Sequence, residues 1–250
     1  MKIIEWNINQ RSNFKNKNKI PNFVSDEIHK QEADIIILTE FYKVSGWIEF
    51  ANKLAKYNVF YTDNGTDKGV IQNEILVAVK KDILVKRIIL LKSTKENNNP
   101  NFLRVDIKYK ENDLTIIGVR IRDSHGDQAF LDNQHKIFNE EIKKVSKDAD
   151  NIIILGDFNA REKFIKDKSI KETDYRIHHS SYGSYSFVFN NGGRAQIDHL
   201  IYRGRGIKVE SVDNYWDFTK CDKLLYQHIH NYGGIENPFP DHAILIVNIE

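Results

Sequence analysis

The stretch from residue 151 to residue 160 reads NIIILGDFNA, and it decides the fold class of the chain. Ile152 to Leu155 form an apolar run of strand length, which is typical of a strand buried on both faces. Gly156 then leads into a polar turn in which Asp157 and Asn159 share one side of the extended backbone. Because α/β proteins place their sites at such strand ends, we expect an α/β fold with a functional site here.

Polar side chains also gather at the ends of other predicted strands. The residues concerned are Asn7 and Asn9, Glu40, Asp198 and His199, and Asp241 and His242. Packing alone does not explain so many acidic and amide groups at strand ends. Asp198 and His199 face opposite sides of one strand, so only one of them faces the site, and we expect His199 to be structural.

The rest of the chain alternates strands and helices and then becomes a run of strands. Helical spacing of apolar residues predicts helices over Pro21 to Glu32, Gly46 to Tyr57 and Asp127 to Lys147. Single strands are predicted at Lys2 to Ile8, Asp34 to Thr39, Asn58 to Tyr61, Asn151 to Leu155, Ser184 to Phe189, Gln196 to Tyr202, Ile207 to Ser211 and Ala243 to Ile249. Two hairpins are predicted, one between Asn73 and Leu91 around Lys80 to Asp82, and one from Phe102 to Ile121 around Lys110 to Asp113.

Composition limits the compartment and the partners. The 250 residues are 40% hydrophobic with a formal net charge of +2, so nucleic acid would have to be bound by local patches. Without an interdomain linker, we expect one domain over residues 1–250. The single cysteine, Cys221, excludes a secreted disulfide scaffold, and no apolar run reaches the length of a signal peptide or a membrane span. We therefore expect a cytoplasmic protein that makes no use of a membrane.

The polar residues suit phosphate chemistry with a metal. Magnesium takes hard oxygen ligands, usually one or two carboxylates with waters and substrate oxygens, and Glu40 and Asp241 fit that role. Asp157 and Asn159 could hold a water between a carboxylate and an amide. His242 could stabilise charge or donate a proton, with a buried Asp198 fixing its tautomer.

Each of these residues also has a structural interpretation. Asn7 and Asn9 are common turn formers after a strand. Asp157 and Asn159 could cap a short helix that runs through Arg161 to Ile165. At this point both interpretations stay open.

Five motifs together resemble a known family. They are Trp6-Asn7-Ile8-Asn9, Leu38-Thr39-Glu40, Gly156-Asp157-Phe158-Asn159, Gln196-Ile197-Asp198-His199 and Pro240-Asp241-His242. They occur in the order of the endonuclease/exonuclease/phosphatase superfamily, which has the DNase I-like fold. The resemblance runs over nearly the whole chain.

The resemblance implies a four-layer α/β sandwich, with two central, mostly antiparallel β-sheets flanked by helices. It also implies a hydrolase of phosphate esters that depends on a divalent metal, Mg²⁺ or alternatively Mn²⁺. The implied metal residues are Glu40, Asn7 and Asp241. The implied catalytic residues are Asp157 and Asn159, which align water and contact the phosphate, and the pair Asp198 and His242.

One position departs from the family pattern. Where many members carry a His or Tyr near the phosphate, this chain reads Gly118-Val119-Arg120, so we place Arg120 among the catalytic residues. Arginine binds phosphate through two parallel hydrogen bonds but is a poor proton donor. The departure therefore affects protonation of the leaving group. His125 could supply the proton.

The expected substrate is nucleic acid, DNA rather than RNA, bound by a monomer. Asn9, Arg122 and Trp216 are the expected substrate-binding residues. A basic loop with Arg11, Lys15, Lys17 and Lys19 adjoins the predicted site, and the aromatic group Tyr215, Trp216 and Phe218 either stacks on bases or belongs to the core. The alternatives are a small-molecule or lipid-headgroup phosphate ester as substrate, and an inactive phosphate-binding module.

Overall fold

A computed structural model describes residues 1–9, 20, 22–41, 47–62, 66–67, 70–71, 74–91, 99–180, 184–189, 191–221 and 240–250. Its strands are β1 (Lys2–Asn7), β2 (Ile35–Phe41), β3 (Tyr57–Tyr61), β4 (Thr66–Asp67), β5 (Val70–Ile71), β6 (Glu74–Lys80), β7 (Leu84–Leu91), β8 (Asn101–Tyr109), β9 (Asn112–Arg120), β10 (Ile152–Asp157), β11 (Arg176–His178), β12 (Phe187–Val188), β13 (Arg194–Ala195), β14 (Asp198–Arg203), β15 (Val209–Tyr215) and β16 (Ile244–Ile249). Its helices are α1 (Asn22–Gln31), α2 (Trp47–Lys53), α3 (Gln128–Val145) and α4 (Glu162–Lys168), with a 3₁₀ helix at Asp217–Cys221.

Two six-stranded sheets form the centre of the molecule. The first has the order β15-β16-β1-β2-β6-β3, and the second has the order β11-β14-β10-β9-β8-β7. Each sheet contains one parallel pair, β1 with β2 and β9 with β10, and the other neighbours are antiparallel. The expected pair of mostly antiparallel sheets is confirmed.

Apolar side chains fill three spaces and so define four layers. Residues such as Ile37 of β2 and Val105 of β8 pack between the two sheets. The outer face of the first sheet packs against α1 and α2, as with Ile28 and Phe50. The outer face of the second sheet packs against α3 and α4, for example at Phe138. Strand β2 is buried along its whole length, as an apolar strand covered on both faces should be.

Gly156 permits the close pairing of β9 and β10. A Cβ atom at Gly156 would lie 1.8 Å from the carbonyl oxygen of Val119 in β9, far inside van der Waals contact. This pair is the parallel one whose strand ends carry Arg120 and Asp157, which lie opposite each other in register. The glycine therefore sets the spacing at the site.

Gly156→Ala should destabilise the fold by at least about 3 kcal/mol, because β9 must move to make room for the methyl group. Urea unfolding of the variant measures this. The control is Gly206→Ala, whose Cβ would have the Asn151 side chain as its nearest neighbour, at 3.3 Å. The control should cost less than about 1 kcal/mol. Equal midpoints for Gly156→Ala and the natural chain would contradict the close pairing.

The hairpin expected between Asn73 and Leu91 is wrong. Strand β6 pairs with β2 and β3 in the first sheet, whereas β7 pairs with β8 at the edge of the second. The reason is that β6, buried from Ile75 to Val79, takes a hydrogen-bonded neighbour on each side and leaves no room for β7. The chain crosses between the sheets after Lys80.

Three further expectations are corrected in extent or position. The strand expected at Ser184 to Phe189 is reduced to β12, and the helix expected from Gly46 to Tyr57 is reduced to α2. Helix α4 begins after Arg161, which is its N-cap, so Asp157 and Asn159 do not cap it. Within the described ranges, no helix combines the length and the apolar character needed to span a membrane.

Candidate active site

The ends of the central strands meet at one edge of the sandwich around a cavity of about 300 Å³. Strands β1, β2, β9 and β10 end there, and β14 and β16 begin there. The lining residues are Asn9, Glu40, Arg120, Asp123, His125, Asp157, Asn159, Phe187, Asp241 and His242. Residues from distant parts of the chain therefore converge on one cavity, as the strand ends indicated.

Four of the lining residues have left-handed backbone conformations. The φ angles are +42° at Asn9, +53° at Glu40, +47° at His125 and +46° at Asn159. Each such residue costs about 1–3 kcal/mol, and such strain concentrates at functional sites. At Glu40 the register of β2 against β6 shifts between Leu38 and Phe41, which is the signature of a β-bulge. The strain is greatest for Glu40, because glutamate tolerates this region less well than asparagine.

Asp157 is the centre of a hydrogen-bond network at the floor of the cavity. Asn7 Nδ2 donates to Asp157 Oδ2 at 3.0 Å, and Asn159 Nδ2 donates to the same oxygen at 3.1 Å. The backbone amide of Asn159 donates to Asp157 Oδ1 at 2.8 Å. Burial, together with the nearby charge of Asp198, raises the pKa of Asp157 to about 7. A carboxylate with such a pKa can exchange a proton near neutral pH.

Asp198 and His242 form a buried ion pair, as the resemblance implied. The distance from His242 Nδ1 to Asp198 Oδ2 is 2.9 Å. Trp6 Nε1 donates to the carbonyl oxygen of His242 at 3.1 Å and holds its backbone. Burial lowers the pKa of His242, but the charges of Asp198, Asp241 and Asp157 raise it well above its ordinary value. The surrounding carboxylates therefore favour the protonated form of His242.

Arg120 lies in the cavity, where it pairs with a residue that the sequence analysis assigned to the metal. Arg120 Nε donates to Glu40 Oε1 at 2.7 Å, and Arg120 Nη2 contacts the same oxygen. Both side chains are buried. The expected phosphate-binding residue and the expected metal ligand thus form an ion pair that joins the two sheets.

The donor atoms fit a magnesium ion. Asp241 Oδ1 is buried and has no hydrogen-bond partner, which suits a cation ligand. Burial and the negative charge of Glu40 raise the pKa of Asp241 to about 6, so a positive charge between these groups would be favourable. Asn7 Oδ1 accepts a hydrogen bond from the backbone amide of Asn9 at 2.9 Å, and its second lone pair could bind a cation.

This donor set is small for a metal site. Within the part of the chain that the structure describes, no group of three or more His, Cys, Asp or Glu residues is arranged to hold a metal. Two carboxylates and one amide oxygen match Mg²⁺, which keeps waters and substrate oxygens in its remaining positions. They match Zn²⁺ poorly, since a structural zinc takes four protein ligands and a catalytic zinc takes three.

Sequence reasoning missed Phe187 and Glu5. The Phe187 ring lies 4.7 Å from the His242 ring, and the two residues form a β-bridge. Glu5 is buried beneath the site, where Thr39 Oγ1 donates to Glu5 Oε1 at 3.1 Å. Burial, and then the charge of Asp198, raises the pKa of Glu5 well above its ordinary value. A buried carboxyl group in β1 is the one signal that could have found Glu5.

Two expected substrate-binding residues lie outside the cavity. Trp216 packs against Tyr185 and Phe218, with ring centroids 5.3 and 5.9 Å away, so this part of the aromatic group belongs to the core. The Arg122 amide faces Gln134 Oε1 at 3.4 Å, and among the described residues neither Arg122 nor Trp216 lines the cavity. Asn9 and His125 do line it. The basic loop from Arg11 to Lys19 lies outside the described residues.

Comparisons with known proteins identify the family and the fold of the chain. Residues 4–219 match the model of the Endonuclease/Exonuclease/phosphatase family. A search of curated proteins finds no match. Similar solved structures include D. rerio TDP2 humanized by 14 mutations, with a TM-score of 0.74 and 13% identity over 100% of this chain and 98% of that one. The human Nocturnin catalytic domain gives a TM-score of 0.69 and 13% identity over 100% and 94% of the two chains. ANGEL2, described as a 2',3'-cyclic phosphatase, gives a TM-score of 0.73 and 14% identity over 99% of this chain and 94% of that one.

At such identities the structural likeness shows the fold alone, which is the DNase I-like fold that the five motifs implied. Family membership rests on the sequence match, which covers most of the chain. Glu40, Asp157 and Asp198 lie within the matched region. The chain belongs to the Endonuclease/Exonuclease/phosphatase family, whose members are metal-dependent phosphoesterase hydrolases.

Proposed function

We propose that the chain hydrolyses phosphodiester bonds in nucleic acid, DNA rather than RNA, with Mg²⁺ or alternatively Mn²⁺. The observation that carries the proposal is the composition of the cavity. Carboxylates for a metal lie on one side at Glu40 and Asp241, a water-binding pair lies on its floor at Asp157 and Asn159, and a cation lies beside them at His242. These are the groups that in-line attack of water on phosphorus needs.

Each residue of the proposed site has a definite role in this reaction. The Asp157 carboxylate accepts a proton from the attacking water, which the Asn159 amide helps to orient. The His242 cation, held by Asp198, stabilises negative charge on the phosphoryl oxygens. Glu40, Asp241 and Asn7 would hold the divalent cation, which polarises phosphoryl oxygens and lowers the pKa of bound water.

A groove beside the cavity supports nucleic acid as the substrate. Its volume is about 840 Å³, and its lining includes three exposed cations, Arg161, Lys163 and Arg194. The guanidinium carbon of Arg194 lies 4.2 Å from the centre of the Tyr185 ring. The groove adjoins the cavity because Ala195, in its wall, pairs in register with Phe187. Cations beside an aromatic ring suit a strand of phosphates and bases.

One similar structure also supports this choice. D. rerio TDP2 is described in complex with a single-strand DNA product. A small phosphate ester is the second candidate substrate, favoured by the modest volume of the catalytic cavity and by the description of ANGEL2 as a 2',3'-cyclic phosphatase. The monomeric state and the cytoplasmic location stay predictions.

Removing groove cations should separate the two substrates. For Arg161→Ala/Arg194→Ala we expect kcat/KM on supercoiled plasmid to fall at least about tenfold, with a weaker dependence on salt, because phosphate contacts are lost. Hydrolysis of bis-(p-nitrophenyl) phosphate should stay unchanged. The matched control is Lys110→Ala/Lys147→Ala, which removes two exposed cations outside the groove. An equal loss on both substrates, or no loss on plasmid, would contradict the groove's role.

A further inference from the structure

Two buried histidines outside the cavity contact the turn that carries the catalytic pair. His135 of α3 and His199 of β14 are 0% and 4% exposed. His135 Nε2 lies 3.1 Å from the carbonyl oxygen of Phe158, and His199 Nε2 lies 2.9 Å from that of Ala160. These carbonyl groups belong to the two residues on either side of Asn159. The turn is therefore held by an imidazole on each side.

The surroundings of His135 and His199 determine the protonation state and the tautomer of each ring. Burial lowers the pKa of His135 to about 4 and also lowers the pKa of His199, so both rings are neutral at neutral pH. A neutral imidazole has one N–H group, and a carbonyl oxygen can only accept, so each bond to the turn requires the proton on Nε2. His135 Nδ1 is then an acceptor, and the hydroxyl of Ser169 donates to it at 2.5 Å.

The His135 bond acts on the peptide unit that orients the catalytic pair. The carbonyl of Phe158 and the amide of Asn159 belong to one rigid peptide plane. His135 Nε2 donates to the carbonyl end, while the amide end donates to Asp157 Oδ1 at 2.8 Å. Rotation of this plane would break both bonds. It would also relax the left-handed φ of Asn159, which is +46°.

The second histidine fixes the exit from the turn and the packing behind it. The His199 ring meets the Phe158 ring at 5.9 Å in an edge-to-face arrangement, and Phe158 meets Phe138 of α3 at 5.4 Å. The amide of Phe158 donates to the carbonyl of Ile197 at 2.9 Å. Helix α3 and strand β14 thus both hold the turn. Neither histidine lines the catalytic cavity, although His199 also lines the groove with Arg161 and Arg194.

We propose that His135 and His199 are positioning residues of the hydrolytic reaction, which hold the Phe158–Ala160 turn so that Asp157 and Asn159 align the attacking water. The proposal rests on the proposed function of that pair. An error of about 1 Å in such a group can cost about 100-fold in rate, so the loss of either bond should appear in kcat. Loss of the His135 bond should affect substrate binding little, because His135 lines neither the cavity nor the groove.

The decisive comparison is His135→Leu against His135→Gln. Leucine removes the donor, whereas the Gln side-chain amide can donate to the carbonyl of Phe158 from a similar position. We expect His135→Leu to lower kcat by about 10- to 100-fold with KM within about twofold. We expect His135→Gln to restore kcat to within about threefold of the natural chain. The pair His199→Leu and His199→Gln should show the same changes in kcat, measured on bis-(p-nitrophenyl) phosphate because His199 also lines the groove.

A matched control is available on the surface. His29 Nε2 also lies near a backbone carbonyl, that of Lys53 at 2.7 Å, but at an exposed position of α1 outside the cavity lining. His29→Leu should leave kcat unchanged. A loss of thermal stability in both His135 variants with an unchanged kcat per folded molecule would overturn the proposal, since the role would then be structural only. Failure of glutamine to restore kcat would overturn it as well.

Hydrogen exchange tests the positioning without using activity. In His135→Leu the Asn159 amide should exchange at least about tenfold faster, while the Ile154 amide in β10 stays protected. Unchanged protection of Asn159 would overturn the proposal even if kcat falls. If the natural chain hydrolyses no phosphate ester, the proposed function fails, and the exchange result still decides whether His135 holds the turn.

Discussion

Asp157→Asn should lower kcat by at least about 1000-fold while the chain stays folded. The carboxylate accepts from three N–H groups, at Asn7 Nδ2, Asn159 Nδ2 and the Asn159 amide. An asparagine at this position directs its own NH₂ group at donors and cannot take a proton from water. Losing one preorganised group of an active site costs about 100- to 1000-fold, and here the proton acceptor is lost as well.

Single-turnover hydrolysis of a phosphodiester measures this loss, and circular dichroism with thermal unfolding shows whether the fold is kept. The control is Asp82→Asn, an exposed aspartate in the turn between β6 and β7. It should have full activity. A folded Asp157→Asn chain with more than about a tenth of the natural rate would remove Asp157 from the chemistry.

His242→Ala should be the second largest loss, about 100- to 1000-fold in kcat, because a charge that stabilises the transition state disappears. Asp198→Asn should lose activity in the same direction although the imidazole remains. Without the carboxylate at 2.9 Å, the ring loses the hydrogen bond that orients it and the strongest of the charges that favour its protonated form.

Comparing the two single variants with the double variant tests whether Asp198 acts through His242. If His242 acts through its charge, the double variant should be no worse than His242→Ala alone, since Asp198 works through the ring. Steady-state kinetics on one diester substrate gives the three rates. Independent, additive losses would contradict the coupling of Asp198 to His242.

The strand ends could be predicted from the sequence because their signal is local. An apolar run such as Ile152 to Leu155 indicates a buried strand, and the polar residues after it must lie at the sheet edge. The motifs around Asn7, Glu40 and His242 indicated the other strand ends in the same way. The structure brings these residues to one cavity.

The contacts between sheets could not be predicted in that way. Glu40 ends a strand of the first sheet and Arg120 ends a strand of the second, so their ion pair depends on how the sheets stack. The pairing of Phe187 with His242 likewise joins segments that are distant in sequence. Sequence periodicity reports the faces of a strand, not its neighbours, and for this reason β6 and β7 looked like a hairpin.

The left-handed backbone conformations could be only partly predicted from the sequence. Asn9 and Asn159 are of the residue type that tolerates the left-handed region, but nothing in the sequence marks Glu40 for it. The conformation there results from the β-bulge against β6, a tertiary effect. The organisation of residues 1–250 as one domain stays a prediction.

Hydrolysis of supercoiled plasmid by the natural chain tests the central claim most directly. The chain is freed of metal with EDTA, and nicking is followed before and after Mg²⁺ is added, with bis-(p-nitrophenyl) phosphate assayed in parallel. We predict no nicking without metal and full nicking with Mg²⁺, because the ion that Glu40 and Asp241 would hold polarises the phosphoryl oxygens and lowers the pKa of water. Absence of hydrolysis of both substrates with Mg²⁺ and with Mn²⁺, or nicking that persists in EDTA, would contradict the account.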